Sequence, residues 1–82
     1  MIQSTNAFEK DSKKLQKRGK DLLKLKKIIS LLAQGEQLPQ KNKDHKLRGD
    51  YLGFRECHVE PDWLLIYQVT SKTLCLVRTG SL

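Results

Sequence analysis

The sequence contains no signal peptide, no apolar stretch long enough to cross a membrane, no internal repeat and no low-complexity linker. Its 82 residues suffice for one hydrophobic core but not for two. We therefore expect a single domain over residues 1–82, located in the cytoplasm and with no segment inserted in a membrane.

Cysteine is scarce: the chain has two, Cys57 and Cys75, and neither belongs to a Cys-x-x-Cys pair. This usage is typical of a reducing compartment, so we expect both thiols to be free. Two histidines are also present, but Cys57 and His58 are adjacent on a predicted strand and point to opposite faces. Four zinc ligands therefore do not converge easily, and we expect neither a metal site nor a cofactor.

Acidic residues are few, nine against sixteen lysines and arginines, which gives a net charge of +7. Nine of the sixteen basic residues fall within residues 10–27, where only Asp11 and Asp21 interrupt them. This excess favours a polyanionic partner, whether nucleic acid, an acidic protein or an anionic membrane. A solvated helix face is the simpler alternative for the same residues.

The N-terminal half predicts a hairpin of two helices. Asn6 and Glu9 fit a capping box for the first helix, which ends near Gly19. Asp21 caps the second helix, and Gly35 ends it. Apolar residues recur with helical spacing along one side of the second helix, which identifies its buried face: Leu22, Leu25, Ile29 and Leu32, with Ile28 and Leu31 alongside.

The C-terminal half predicts an antiparallel meander over residues 54–60, 63–69 and 74–78. Residues 2–4 add a short edge strand, and the polar residues 36–53 form a loop whose length is typical of a functional segment. The predicted class is α+β, with the helical hairpin packed on one face of a small antiparallel sheet. The strand residues expected to face the helices are Cys57, Val59, Cys75 and Val77.

The segment 54–63 concentrates titratable side chains next to a turn. Strand alternation sends His58 to the face opposite Cys57, and the turn at Pro61 is expected to hold Asp62 near that face. A carboxylate that orients an imidazole supports proton transfer, although a purely structural pair fits the spacing equally well.

Two further residues have side chains suited to catalysis. His45 lies in the basic loop, where an ordinary exposed histidine is the alternative. Arg78 ends the last strand, where it would clamp a phosphate through two hydrogen bonds or simply be solvated. Together with His58 and Asp62 these residue types suit cleavage of RNA by its own 2′-hydroxyl, which needs no metal. A DNA nuclease more usually shows carboxylate clusters for two metals.

Four segments resemble the YafQ branch of the RelE-type bacterial toxins. They are Lys43-Asp44-His45, the segment 55–63 with its core His-Val-Glu-Pro-Asp-Trp, Ile66-Tyr67, and Arg78-Thr79-Gly80. The resemblance implies a RelE/ParE-like fold and a ribosome-dependent endoribonuclease that cuts messenger RNA in the decoding site. It also implies a cognate antitoxin, contacts with ribosomal RNA, operator DNA bound only through the antitoxin complex, and a bacterial cytoplasmic location.

Residue by residue, the resemblance implies proton transfer by His45, His58 and Asp62 and phosphate stabilisation by Arg78. Leu82 stands where the family has a catalytic histidine, so the resemblance also implies that cleavage by this chain is impaired. The alternative is a catalytically inactive protein of the toxin fold that binds antitoxin or ribosome. A third alternative, a DNA-binding module acting alone, is disfavoured because the sequence has no recognition-helix pattern. The basic residues expected to contact RNA are Lys13, Lys14, Lys17, Lys41, Lys43, Lys46, Arg48 and Arg55.

Overall fold

A computed structural model describes residues 1–81, so the expectation for Leu82 lies outside the described residues. Two helices and five strands follow one another along the chain. They are β1 (Ile2–Ser4), α1 (Asn6–Lys17), α2 (Leu22–Ala33), β2 (His45–Lys46), β3 (Arg55–Glu60), β4 (Trp63–Val69) and β5 (Leu74–Ser81). Two 3-10 turns, Gln40–Asn42 and Gly49–Tyr51, shape the long connection around β2. No helix within residues 1–81 is long and apolar enough to cross a membrane.

The strands form one sheet in the order β1-β5-β4-β3-β2. The predicted meander of β3, β4 and β5 and the edge strand β1 are confirmed, as is the α+β class with two helices packed on a small sheet. The sheet is mixed rather than wholly antiparallel, because β1 runs parallel to β5. No hairpin links these two strands; most of the chain separates them, so a turn does not dictate their relative direction.

The two helix starts differ in how well the sequence predicted them. Asp21 caps α2 as expected, since its carboxylate accepts a hydrogen bond from the Leu23 N–H at 3.0 Å. The cap of α1 is Thr5 rather than Asn6: the Thr5 hydroxyl accepts from the Phe8 N–H at 3.0 Å. Threonine and asparagine both serve as N-caps, and the contact of Thr5 with the Val77 carbonyl on β5 favours the earlier residue.

The core lies between the helices and one face of the sheet. Leu25 and Ile28 are buried on α2, whereas Leu22, Ile29 and Leu32 are only partly buried at its margin. The predicted buried face is therefore displaced by part of a turn. The largest fully buried side chains come from the strands, and they are Trp63, Tyr67, Leu65 and Cys57.

The prediction that Cys75 and Val77 face the core is wrong. The buried residues of β5 are Leu74, Leu76 and Thr79, so the alternation of the strand breaks at Val77. A β-bulge explains the break, because Tyr67 pairs with Leu76 and the preceding Ile66 pairs with Arg78, which leaves Val77 as an extra residue. The bulge is also why Arg78 points away from the helices even though Leu76 points toward them.

Replacing Leu25 with alanine should lower the free energy of unfolding by about 2–5 kcal/mol, because the side chain is 4% exposed and its loss leaves a cavity. Leu23 provides a matched control on the same helix, since it is 70% exposed, and Leu23→Ala should change stability by less than about 0.5 kcal/mol. Urea melts of both variants measure the difference. Equal midpoints and slopes for the two would show that the apolar face of α2 is assigned incorrectly.

Candidate active site on the open sheet face

Pairing across four strands lines up the candidate residues on the sheet face that the helices leave uncovered. His45 on β2 pairs with Glu56 on β3, Glu56 pairs with Ile66 on β4, and Ile66 pairs with Arg78 on β5. Neighbouring strands lie about 4.8 Å apart, so the backbones at the two ends of this row are about 14 Å apart. The sheet thus places an imidazole and a guanidinium on either side of a partly apolar strip.

His58 belongs to a second row, two residues along β3 from Glu56 and on the same face. It pairs with Leu64 on β4, and Leu64 pairs with Gly80 on β5. The Nδ1 atom of His58 lies 3.1 Å from the Pro61 carbonyl oxygen. That contact requires the proton on Nδ1, so Nε2 is the nitrogen left to exchange a proton with a substrate.

Glu56 is a site residue that the sequence reasoning missed. His45 Nε2 lies 3.3 Å from Glu56 Oε1, while His45 Nδ1 lies 2.7 Å from the Lys43 carbonyl oxygen. Both ring nitrogens of His45 are therefore in contact with an oxygen atom of the protein. Glu56 lies two residues before His58, so strand alternation places both on one face, but the two-residue strand β2 that brings His45 to Glu56 has no detectable periodicity.

The expected convergence of Asp62 with His58 is not observed. No hydrogen bond joins the two side chains in the described part of the chain, and His58 contacts the Pro61 carbonyl instead. The exposed Asp62 carboxylate lies 4.0 Å from Lys20 Nζ, a residue of the α1–α2 connection. The turn therefore directs Asp62 toward the helix side, and the carboxylate in contact with a site histidine is Glu56.

Arg78 is held by a residue of α1. Its Nε and a terminal nitrogen donate to the two carboxylate oxygens of Asp11 at 2.7 and 3.1 Å, and the Thr79 N–H also donates to Asp11 at 3.2 Å. The hydrogen bond from Arg78 lowers the pKa of Asp11, so the pair is fully ionised at neutral pH. Asp11 orients the guanidinium, and a phosphate binding to Arg78 would meet an arginine already fixed in place.

The basic residues expected to contact RNA form two exposed groups, and one further residue, Arg55, is only partly exposed. Lys13, Lys14 and Lys17 lie on the outer surface of α1. The second exposed group follows α2 on the long connection and comprises Lys41, Lys43, Lys46 and Arg48.

Arg55, also predicted to contact RNA, is placed differently. It lies on the helix-covered side of β3, where its guanidinium donates to Asp44 at 3.3 Å and to the Tyr67 hydroxyl at 3.3 Å. The Tyr67 hydroxyl in turn donates to Asp44 at 2.5 Å, and burial raises the pKa of Tyr67. Arg55 therefore anchors the segment that carries His45 and is not on the face that holds His58.

The described residues contain no cluster of three or more histidine, cysteine, aspartate or glutamate side chains able to hold a metal ion. Both cysteines are free, as expected. Burial raises the pKa of the Cys57 thiol to about 12, so this thiol stays protonated and unreactive at neutral pH.

Comparison with known proteins gives a consistent result over the whole chain. A family model described as bacterial toxin of type II toxin-antitoxin system, YafQ, matches residues 1–82. The curated mRNA interferase toxin YafQ of Escherichia coli K12 is 47% identical over 81 residues, which covers 98% of this chain and 88% of the relative.

Solved structures of related toxins superpose closely on this chain. The crystal structure of YafQ from E. coli BL21(DE3) superposes with a TM-score of 0.94 at 46% identity, covering 99% of this chain and 91% of that one. YafQ in the E. coli DinJ-YafQ complex gives a TM-score of 0.92 at 46% identity, with coverage of 99% and 91%. A metal-bound toxin from Helicobacter pylori gives 0.92 at 47% identity, with coverage of 99% and 92%.

Fold, open-face site and whole-chain similarity together define this protein as the toxin component of a type II toxin-antitoxin system. The chain belongs to the YafQ toxin family, which confirms the resemblance drawn from its four sequence segments.

Proposed function

We propose that this toxin is a ribosome-dependent endoribonuclease that cleaves translated messenger RNA by attack of the RNA 2′-hydroxyl. The observation that carries the proposal is the row across the open face, with His45 and Glu56 at one end, Arg78 at the other and His58 one step along the sheet. The name mRNA interferase, given to relatives at 47% identity, supports endoribonuclease activity.

The open face offers two histidines for the two proton transfers of this reaction. One histidine, His45 or His58, takes the proton from the 2′-hydroxyl, whose oxygen then bonds to the adjacent phosphorus. The bond from phosphorus to the 5′-oxygen breaks, and the departing oxygen receives a proton from the other acid of the site. A 2′,3′-cyclic phosphate and a 5′-hydroxyl result. Asp62 stays in the proposed set, although its exposed carboxylate lies 4.0 Å from Lys20 Nζ and is directed away from the histidines.

Arg78 supplies the charge stabilisation. The attacked phosphate gains negative charge in the transition state, and a guanidinium fixed in advance by Asp11 stabilises that charge without reorganising. No metal or cofactor takes part in the proposed reaction. Cleavage is slowed in this chain because Leu82 offers no group for proton transfer at a position where the family has histidine.

The proposed partners follow from the charge and from the family. DinJ-YafQ complexes show that a relative binds an antitoxin, and we propose a cognate antitoxin for this toxin. The ribosome would be bound through ribosomal RNA and messenger RNA in the A site, and operator DNA only through the antitoxin complex. All of these partners are bacterial and cytoplasmic.

Incubation of the protein with ribosomes carrying a defined messenger RNA tests the proposal, with the same RNA free in solution and with cognate antitoxin added as comparisons. Cleavage products ending in a cyclic phosphate should appear only on ribosomes and disappear with antitoxin. A protein that binds ribosomes and antitoxin tightly but yields no product at any concentration would instead be the catalytically inactive binding protein.

Three exposed lysines of α1 can be neutralised together in the variant Lys13→Gln, Lys14→Gln, Lys17→Gln. This variant should bind ribosomes more weakly, and its affinity should depend less on salt concentration. Each lysine that contacts phosphate releases a counterion, so the slope of log K against log salt should fall by about 2. The control variant Lys26→Gln, Lys27→Gln, Lys72→Gln loses the same charge at other positions. Identical slopes for both variants would mean that only net charge matters and that α1 makes no contact with RNA.

A further inference from the structure

We propose that the cleft between Tyr51 and strands β4 and β5 is a binding subsite for one unpaired nucleobase of the messenger RNA, next to the phosphate held by Arg78. This inference rests on the proposed function, because it names how the same site holds its substrate. It adds a recognition element that the catalytic residues do not supply.

The cleft combines a charged side chain with an apolar floor, which complements the phosphate and the base of a nucleotide. It has a volume of about 290 Å³, and Arg78, paired with Asp11, is among the residues that line it. Leu64 and Ile66 form its floor, as partly buried apolar side chains on a face that no helix covers. A cation beside an apolar floor fits a ligand with a phosphate at one end and a flat, weakly polar ring at the other.

Tyr51 supplies an aromatic wall. It ends the 3-10 turn Gly49–Tyr51 and is 54% exposed, which is high for a side chain of its size. The edge-to-face contact with Phe54, at 6.5 Å between ring centroids and 69° between planes, fixes the ring without covering it. An exposed ring held in this way is a stacking platform, and single-stranded RNA is bound largely through such stacking.

Gly80 keeps the cleft open. It lies opposite Leu64 on the uncovered face, and a Cβ atom built there would meet no atom within 4 Å. Its backbone conformation is one that other residues adopt, since its φ is not positive. The fold therefore does not require glycine at this position. A larger side chain would extend into the cleft, where the base is proposed to bind.

Substitutions of Tyr51 test the stacking. Stacking on an aromatic side chain contributes about 1–3 kcal/mol per base, so Tyr51→Ala should lower kcat/KM for cleavage on programmed ribosomes about 5- to 150-fold. Tyr51→Phe should retain nearly full activity, because the ring and not the hydroxyl is used. Leu52→Ala is the matched control, since the adjacent Leu52 is 79% exposed and does not line the cleft.

Graded filling of the cleft provides an independent test. Gly80→Ala and Gly80→Val should reduce cleavage progressively, with urea midpoints close to that of the unmodified protein. If Gly80→Val lowers the urea midpoint, its slower cleavage could come from lost stability. The proposal is then tested by Tyr51→Ala and by the binding measurement below. Wild-type rates for Tyr51→Ala, or for a folded Gly80→Val, would overturn the proposal.

Binding without cleavage separates this inference from the proposed function. The probe is a trinucleotide with 2′-O-methyl groups and a central 2-aminopurine, whose fluorescence is quenched when the base stacks. Wild-type protein and Tyr51→Phe should quench it, and Tyr51→Ala should not. Equal quenching by Tyr51→Ala, or none by wild type, rejects the base subsite even if wild type cleaves RNA. Quenching by a wild-type protein that never cleaves would retain the subsite and reject the nuclease.

Discussion

His58→Gln should lower the rate of messenger RNA cleavage on programmed ribosomes by about a hundredfold to ten-thousandfold, the usual contribution of a positioned general acid or base. Glutamine retains a side-chain N–H that can donate to the Pro61 carbonyl, as His58 Nδ1 does at 3.1 Å. It exchanges no proton at neutral pH. The substitution thus removes the chemistry of the imidazole while leaving its structural contact in place.

Two controls show whether such a loss is catalytic. Ribosome affinity and the urea midpoint should both be unchanged in His58→Gln, because the side chain is only partly buried and makes no ion pair among the described residues. Gln68→Ala, on the same face of β4 but outside both rows, should cleave at the wild-type rate. Full activity in His58→Gln would remove His58 from the proposed mechanism and leave His45 as the histidine to test.

Leu82→His should raise the cleavage rate, by up to about a hundredfold to ten-thousandfold, if proton transfer at this position limits the reaction. Leucine transfers no proton, and the family resemblance puts a catalytic histidine here. Leu82→Gln is the matched control, because it adds a polar side chain of similar size that is not titratable. It should leave the rate unchanged.

The two variants at position 82 separate chemistry from contact. Equal acceleration by histidine and glutamine would indicate a hydrogen bond rather than proton transfer. No acceleration by histidine, in a protein that cleaves measurably, would show that His45 and His58 suffice for both proton transfers. Single-turnover rates on the same programmed ribosomes distinguish these results.

Local sequence patterns predicted the helices and the long strands well. The apolar spacing of α2, its Asp21 cap and the three strand-like runs all depend on neighbours within a few residues. The bulge at Val77 depends instead on how β5 pairs with β4, and the two-residue strand β2 depends on its partner β3. Such features are set by tertiary pairing, so residue periodicity alone does not reveal them.

The same distinction applies to the candidate site. Strand alternation sends His58 to the face opposite Cys57, and the structure places it there, on the same face as Glu56. Asp11 was read only as an interruption in a basic run, because its contact with Arg78 spans 67 positions. Tyr51 lies in a polar loop and belongs to no recognisable motif, although it lines the cleft beside Arg78. Contacts between distant segments position this site, and they leave little trace in a single sequence.

The attachment of the first strand to the last has a consequence for the order of folding. The Leu74 N–H donates to the Met1 carbonyl at 2.8 Å, the Thr5 N–H donates to the Leu76 carbonyl at 3.0 Å, and Asp11 reaches Arg78. None of these contacts can form until β5 has left the ribosome that makes it, and contacts between such distant residues form slowly. A nascent chain still inside the exit tunnel therefore has no fixed Arg78. Until β5 is available to pair with β1 and to contact α1, the row of candidate residues on the open sheet face is incomplete at its Arg78 end.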